Sequence, residues 1–343
     1  MKPLIGITMG DPSGIGPEII IKALQKEDVY QRCRPLVVGD AGLMEQTAAS
    51  LGFGCTVRAV SEVNEAIFEP RTLDVLHLDC FTGKLQTGQV SAASGEVAFR
   101  SIETVIKMAL AGKLDATVTA PINKESIYLA GHHFSGHTEI YAQYTGTRKY
   151  AMLLVHENLR VVHVTTHVSL RNACDLVKKE RILEVIDLLH QACRSLDIPR
   201  PRIAVAGLNP HSSDNGLFGW EEEQEIIPAI EEAREKGFSV EGPVPPDTIF
   251  TKAIAGQYDG CVAMYHDQGH IPFKMAGFTW NQEKRRMDVS GVNITLGLPI
   301  IRVSVDHGTA FDVAGKGIAS EAAMSLSIDY AVKMAAAQHK KKE

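Results

Sequence analysis

The chain is 343 residues long, 45% hydrophobic and 22% charged, with 29 Gly distributed along its length. That profile belongs to an ordered globular protein and excludes a disordered one, and the length exceeds what one core of ordinary size uses, which points to two packed lobes. A formal net charge of −6, with the C-terminal Lys340, Lys341 and Lys342 too short a basic block to track a nucleic-acid backbone, argues against a nucleic-acid partner.

At the N-terminus the apolar run is broken within a few residues by Gly and Asp. This is unlike a leader peptide or a membrane span, so no membrane partner is expected and the expected location is the cytoplasm. From there PLIGIT, PEIIIKALQ, PLVVGD and LMEQTAASLG alternate short apolar runs with helical patterns, which reads as βαβα and a parallel sheet. DVLHLD, a helix around residues 96–111 and the strand ATVTA continue the alternation. Polar turns carrying Pro121, Gly131 and Gly136 then crowd together, and a lobe boundary is placed near residue 125. AMLLV and RVVHVTT, joined by HENL, suit an antiparallel hairpin. Beyond them KERILEVIDLLHQACRSL and EEEQEIIPAIEEAREKG read as helices, IAVAGL and GCVAMY as strands, and the chain closes on a helix near SEAAMSLSIDYAVKMAAA. Cys33, Cys55, Cys80, Cys174, Cys193 and Cys261 form no CxxC pair, so reduced thiols are expected rather than disulfides or a thiolate zinc site.

Polar strings stand at the ends of these strands: TAPINK, FSGHTE, VTTHVSLR, GLNPHSSDNG, YHDQGH and VDHGTAFDVAGKG. Ligands gather at strand C-termini in open α/β sheets. His167, His211 and His266 each follow a buried-looking strand. Neutral imidazoles are favoured ligands of zinc and other first-row divalent ions, and three protein nitrogens with an open position is the pattern of a catalytic metal site. The residues alone equally allow strand-end histidines, each satisfied by a backbone hydrogen bond. His77, His163, His190 and His339 read as structural or exposed, and His132 and His133 as residues of a Gly-rich turn. His137 and Thr138 open a helix whose free N–H groups suit an anion. Lys124, Lys274 and Arg302 are cations in or beside these strings, suited to a phosphate or carboxylate. GIGP at 14–17 lacks the third glycine of a dinucleotide fingerprint and reads as a strand-to-helix turn.

Taken in order, TMGDPSGIGPEI, TAPINK, GHTE, TTHVSLR, GLNPH, PPDT, YHDQGH, GVNITLGLP and DHGTAFDVAGKG resemble the 4-hydroxythreonine-4-phosphate dehydrogenase family over essentially the whole chain. The resemblance implies two α/β/α domains around a cleft, of isocitrate/isopropylmalate dehydrogenase type. Residues 1–125 and 285–343 would form one domain and residues 126–284 the central one. It also implies a homodimer with shared active sites, and one divalent metal (Zn, Co, Mn or Mg) on His167, His211 and His266. Substrate contacts fall on His137, Thr138, Lys274, Asn293 and Arg302. The cofactor, NAD with NADP as the alternative, falls near His307, Gly308, Thr309, Ala310 and Asp312.

Lys274 is then a general acid or base, or an anion partner, and Asp247 either orients a metal-bound imidazole or caps a helix. Two departures from the pyridoxine-pathway members, the longer stretch FTWNQEKRRMDVS and His270, resemble the branch acting on 4-phospho-D-threonate or 4-phospho-D-erythronate. The expected reaction is oxidation to a β-keto acid that decarboxylates to dihydroxyacetone phosphate, in carbohydrate metabolism. The alternative is the 4-hydroxythreonine-4-phosphate dehydrogenase of pyridoxine biosynthesis. A phosphate acyltransferase or a non-enzymatic binding protein of the same architecture are the remoter readings.

Overall fold

The computed structural model describes residues 2–282 and 286–342. Residues 283–285 of the stretch FTWNQEKRRMDVS therefore lie outside the described residues, as do the side chains of residues 286–288, 341 and 342. The chain divides into two compact units: residues 1–148, 280–292 and 298–343 form the first, and residues 149–279 and 293–297 the second.

In chain order the first unit begins with β1 (Leu4–Thr8), α1 (Gly16–Leu24), α2 (Glu27–Arg32), β2 (Arg34–Gly39), α3 (Ala41–Ser50), β3 (Thr56–Val60) and β4 (Thr72–His77). It continues through α4 (Ala92–Leu110), β5 (Ala116–Thr119), α5 (Lys124–Leu129) and α6 (His137–Thr145). The second unit holds β6 (Ala151–His156), β7 (Leu159–His163), α7 (Leu170–Leu176), α8 (Lys179–Ser195) and β8 (Ile203–Ala206). After these come α9 (Ile227–Glu235), β9 (Val240–Val244), α10 (Ile249–Ile254), β10 (Gly260–Ala263) and α11 (His266–Gly277). The chain closes with the two-stranded ribbon β11 (Phe278–Asn281) and β12 (Arg286–Val289), then β13 (Val292–Leu296), β14 (Arg302–Val305) and α12 (Ala322–Lys342).

Both units are mixed layers of helix and sheet, as the alternating pattern predicts. In the first, the strand order is β3-β4-β2-β1-β5-β14 and every pairing is parallel. Its inner strands are buried along their length, β1 at all five positions and β5 at all four, because helices cover both faces of a parallel sheet. In the second, the order is β13-β6-β7-β10-β8-β9. β6 and β7 form the expected antiparallel hairpin, with Leu153 opposite Val162, while β7, β10, β8 and β9 pair in parallel.

The first unit extends to Arg148, beyond the expected boundary near residue 125. Side chains of α5 and α6, including Ile127, Ile140 and Tyr141, are buried in one core with Ala98, Ile102 and Val105 of α4. Gly95 makes this possible, because a Cβ there would overlap the Ser126 carbonyl group. No helix among the described residues is long and apolar enough to cross a membrane.

Candidate active site

In the second unit, β7 and β10 run parallel with His163 beside Ala263. The pairing continues past the strand ends: Val164 N–H donates to Ala263 O (2.8 Å) and Thr165 N–H to Met264 O (3.2 Å). This extension carries His167 and His266 out side by side, their ring centroids 5.7 Å apart. They line one cavity of about 260 Å³ together with Thr166, Val168, Tyr265 and Asp267. His266 is the first residue of α11, and its Nδ1 lies 2.6 Å from Asp267 Oδ1, which leaves Nε2 for a ligand. Asp267, the next residue along the chain, is thus the group that orients the His266 ring.

One turn later His270 stacks on His266, with centroids 3.7 Å apart and planes 13° apart. Its Nδ1–H donates to the His266 carbonyl (3.0 Å). His163 lies beneath, 4.7 Å from His270 and wholly buried. It packs against the backbone of α11 at Gly269, where a Cβ would overlap the imidazole. Burial first, and the neighbouring imidazoles second, push His163 down to about 3 and His270 down to about 4. Both are neutral at ordinary pH. In the sequence His163 sits inside an apolar run and reads as structural or exposed; in the fold it faces α11, a direction that only the packing of that helix reveals.

His211 is placed differently. After β8, buried Glu222 takes Leu208 N–H (2.8 Å) and Asn209 N–H (2.7 Å) on Oε1 and Asn209 Nδ2 (2.8 Å) on Oε2. The next residues, His211 to Asn215, have φ of 53°, 57°, 72°, 44° and 59°. Consecutive left-handed non-glycine residues are strained and need such an anchor. His211 is exposed, its Nδ1 3.1 Å from Asp214 Oδ2 and its ring edge-on to Phe218.

The donor set can be tested against a metal. With Zn–N bonds of about 2.0–2.1 Å, two imidazoles on one ion have centroids roughly 5–6 Å apart, which the His167–His266 pair meets. Among the described residues, however, no three His, Cys, Asp or Glu are disposed to hold an ion. The expected triad is therefore present in one chain as a pair, with His211 held in its own loop.

In the first unit, His137 begins α6 behind Gly136, with no side-chain cap on the helix. Arg302, from β14, is 3% exposed; its Nη2 donates to Thr119 Oγ1 (2.9 Å) and its guanidinium lies 5.7 Å over the Tyr141 ring. Burial lowers Arg302 to about 10, leaving it a cation at neutral pH. Burial, then the charges of Arg302 and Lys124, hold His137 well below the usual histidine range. Its Nε2 is buried without a hydrogen-bond partner among the described residues. Helix N–H groups, a guanidinium, an ammonium and a neutral imidazole thus converge where an anion with a hydroxyl would fit.

The segment after β14 lines a second cavity, of about 610 Å³, with His307, Gly308, Ala310 and Asp312 on its wall beside Ile15 and Trp280. Four of the five expected cofactor residues meet there. The fifth, Thr309, acts through its backbone, its carbonyl accepting Ile15 N–H (3.0 Å). Trp280 comes from the β11–β12 ribbon, which no sequence pattern announced. A cavity of this size with apolar walls and one carboxylate fits part of a dinucleotide.

The remaining candidates are more dispersed. Lys274 is exposed in the last turn of α11, its ammonium 5.2 Å over the Phe278 ring. Asn293 lies in β13, half-buried. Asp247 is exposed, and the cap position of α10 belongs to Thr248 instead. Asp247 lines a groove of about 550 Å³ with Phe250, Tyr265 and Asp267 and is not on the wall of the His167–His266 cavity.

Residues 31–331 match the family model described as pyridoxal phosphate biosynthetic protein PdxA. The chain is 48% identical to a D-threonate 4-phosphate dehydrogenase of Cupriavidus necator, over 93% of each chain. It is 46% identical to a 4-hydroxythreonine-4-phosphate dehydrogenase of Desulfosudis oleivorans, over 98% of this chain and 97% of that one. Among solved structures, a 4-hydroxythreonine-4-phosphate dehydrogenase from Klebsiella pneumoniae superposes with a TM-score of 0.86 at 45% identity, covering 98% of each chain.

Proposed function

Because the chain belongs to the pyridoxal phosphate biosynthetic protein PdxA family, we propose that it is a nicotinamide-dependent dehydrogenase of a 4-phosphorylated four-carbon hydroxy acid. The substrate read here is 4-phospho-D-threonate or 4-phospho-D-erythronate. The nicotinamide, when bound, would supply the hydride acceptor for oxidation at the carbon β to the carboxylate, with release of the hydroxyl proton; the β-keto acid would then lose carbon dioxide to leave dihydroxyacetone phosphate. The observation that carries the reading is the convergence of Arg302, Lys124 and the α6 N-terminus on the neutral imidazole of His137.

Arg302 is a buried, hydrogen-bonded guanidinium, preorganised for an anionic group of the substrate. His137 and Thr138, at the opening of α6, supply an uncharged ring and a hydroxyl to the substrate's polar groups. Asn293 and Lys274 are assigned to the same substrate, Lys274 as a further cation and Asn293 as an amide partner. Asp247 is assigned with Lys274 to the catalytic groups, as a carboxylate that would orient a metal-bound imidazole. Asp312 favours NAD over NADP, because a carboxylate on the cavity wall accepts from ribose hydroxyls and repels a 2′-phosphate.

His167 and His266, with His211 as third donor, would hold a divalent ion, and Asp267 and His270 fix the His266 ring for it. Such an ion, when bound, polarises the substrate hydroxyl and the adjacent carbonyl. The same reading makes the enzyme a cytoplasmic homodimer with shared sites, in which His211 reaches the histidine pair of its partner subunit.

The pyridoxine-pathway substrate, 4-phosphooxy-L-threonine, is the second reading, supported by relatives that carry that name. A side-by-side NAD⁺ reduction assay with the three phosphorylated acids, following carbon dioxide release, decides between them. The first reading expects the D-acids to give the higher kcat/KM. Preference for the amino-bearing acid overturns the substrate assignment, and no NADH from any of them overturns the reaction.

A further inference from the structure

α1 is more than a layer of the first unit. Glu18 and Lys22 are spaced four residues apart and so share one face of α1, and Lys26 follows just beyond the end of the helix. That face meets the chain just before α12. Lys22 Nζ donates to Glu18 Oε1 (2.7 Å), to the Gly317 carbonyl (2.9 Å) and to the Ala319 carbonyl (2.6 Å). Those bonds use all three hydrogens of an ammonium. Glu18 Oε1 also accepts Ala319 N–H (2.8 Å). Lys26 adds Ser325 Oγ at 3.1 Å and Glu321 Oε1 at 3.2 Å.

The segment held in this way leads into a wall of the 610 Å³ cavity, which Ile318, Ala319 and Ser320 line together with Ile15 and with Trp280 of the β11–β12 ribbon. Its backbone needs an external hold, since Gly317 sits at φ 69° and the segment belongs to no helix or strand. The side chains of the pair are 2% and 16% exposed, so water screens this interaction little.

We propose that the Glu18–Lys22 ion pair is the positioning device of the cofactor cavity: by gripping the backbone at Gly317 and Ala319 it orders the wall at residues 318–320 before the dinucleotide arrives and thereby sets cofactor affinity. The inference rests on the reading of this cavity as the nicotinamide dinucleotide site. Its physical basis is preorganisation, because a wall ordered in advance loses no further freedom on binding. Neither residue touches the reacting atoms.

The test uses the full chain, titrated with NADH by fluorescence and assayed at steady state. Lys22→Met keeps the aliphatic stem and removes the three donors. The double variant Glu18→Gln with Lys22→Met also removes the buried carboxylate that the single variant would strand. For both, Kd for NADH and KM for NAD⁺ should rise about tenfold, while KM for the phosphorylated acid and kcat at saturating NAD⁺ stay within about twofold. Amide exchange across residues 315–322 should quicken. If the double variant folds with unchanged NADH affinity, or loses kcat and both KM values together, the positioning role is overturned while the cavity assignment stands. If the wild-type chain takes up no NADH, both fall.

Discussion

Asp11 shows how a single buried group couples to pH. It is fully buried, accepts Ser13 N–H on Oδ1 (2.9 Å), and burial raises its carboxyl to about 6. A folded pKa above the unfolded value near 3.8 means that the folded state binds the extra proton between those pH values. Stability therefore falls as pH rises from about 4 to 6, and the full cost is present above 6. Asp11→Asn keeps the acceptor and removes the charge, so it should stabilise the protein by on the order of 2 kcal/mol at pH 7.5 and far less at pH 4.5. Urea unfolding at both pH values checks this; equal gains at the two would refute the buried-charge account. Arg302 is the second such residue. Arg302→Lys retains a charge but loses the planar fork placed by Thr119 and Tyr141, and should raise KM for the phosphorylated acid by about 10- to 100-fold. Steady-state kinetics at fixed saturating NAD⁺ measures it, and an unchanged KM would remove Arg302 from the substrate site.

Among the elements, those with a clean period were legible. β1, β2, β5 and β8 are short, largely apolar runs buried at nearly every position, and α8 carries an apolar face that is buried at Ile182, Val185, Ile186 and Leu189. β3, with exposed and half-buried residues up to Val60, offers no such signal, and it is a strand because β4 supplies its hydrogen bonds. The left-handed turn at His211–Asn215 was equally hidden, since Ser, Asp and Asn suit any turn; Glu222, several residues further on, selects this one. Close approaches between elements make the firmest predictions here. Gly95→Ala drives a methyl group of α4 into the Ser126 backbone of α5 and should cost about 1–3 kcal/mol. A melting temperature within a degree of wild type would show that α5 can move away.

For the whole molecule, the homodimer reading turns the exposed His211 into an experiment. His211→Ala and His266→Ala subunits, each inactive alone, should regain on the order of a quarter of wild-type activity when refolded together, because half the dimers are mixed and one of their two sites is intact. Restoration to zero would place all three histidines within one subunit or outside the site. The polar strings of the sequence sufficed to determine the family, the α/β class and the residue types available for anions, metal and cofactor, because those depend on local periodicity and on side-chain chemistry. Tertiary structure alone decided which of them meet. His167 and His266 come together through strands paired at a separation of about a hundred residues; His163 and His270 join them because Gly269 lets α11 approach β7; and a glutamate and lysine on α1 reach the wall of a cavity nearly three hundred residues away. Such contacts are set by packing between distant segments, on which the spacing of residues along the chain carries no information.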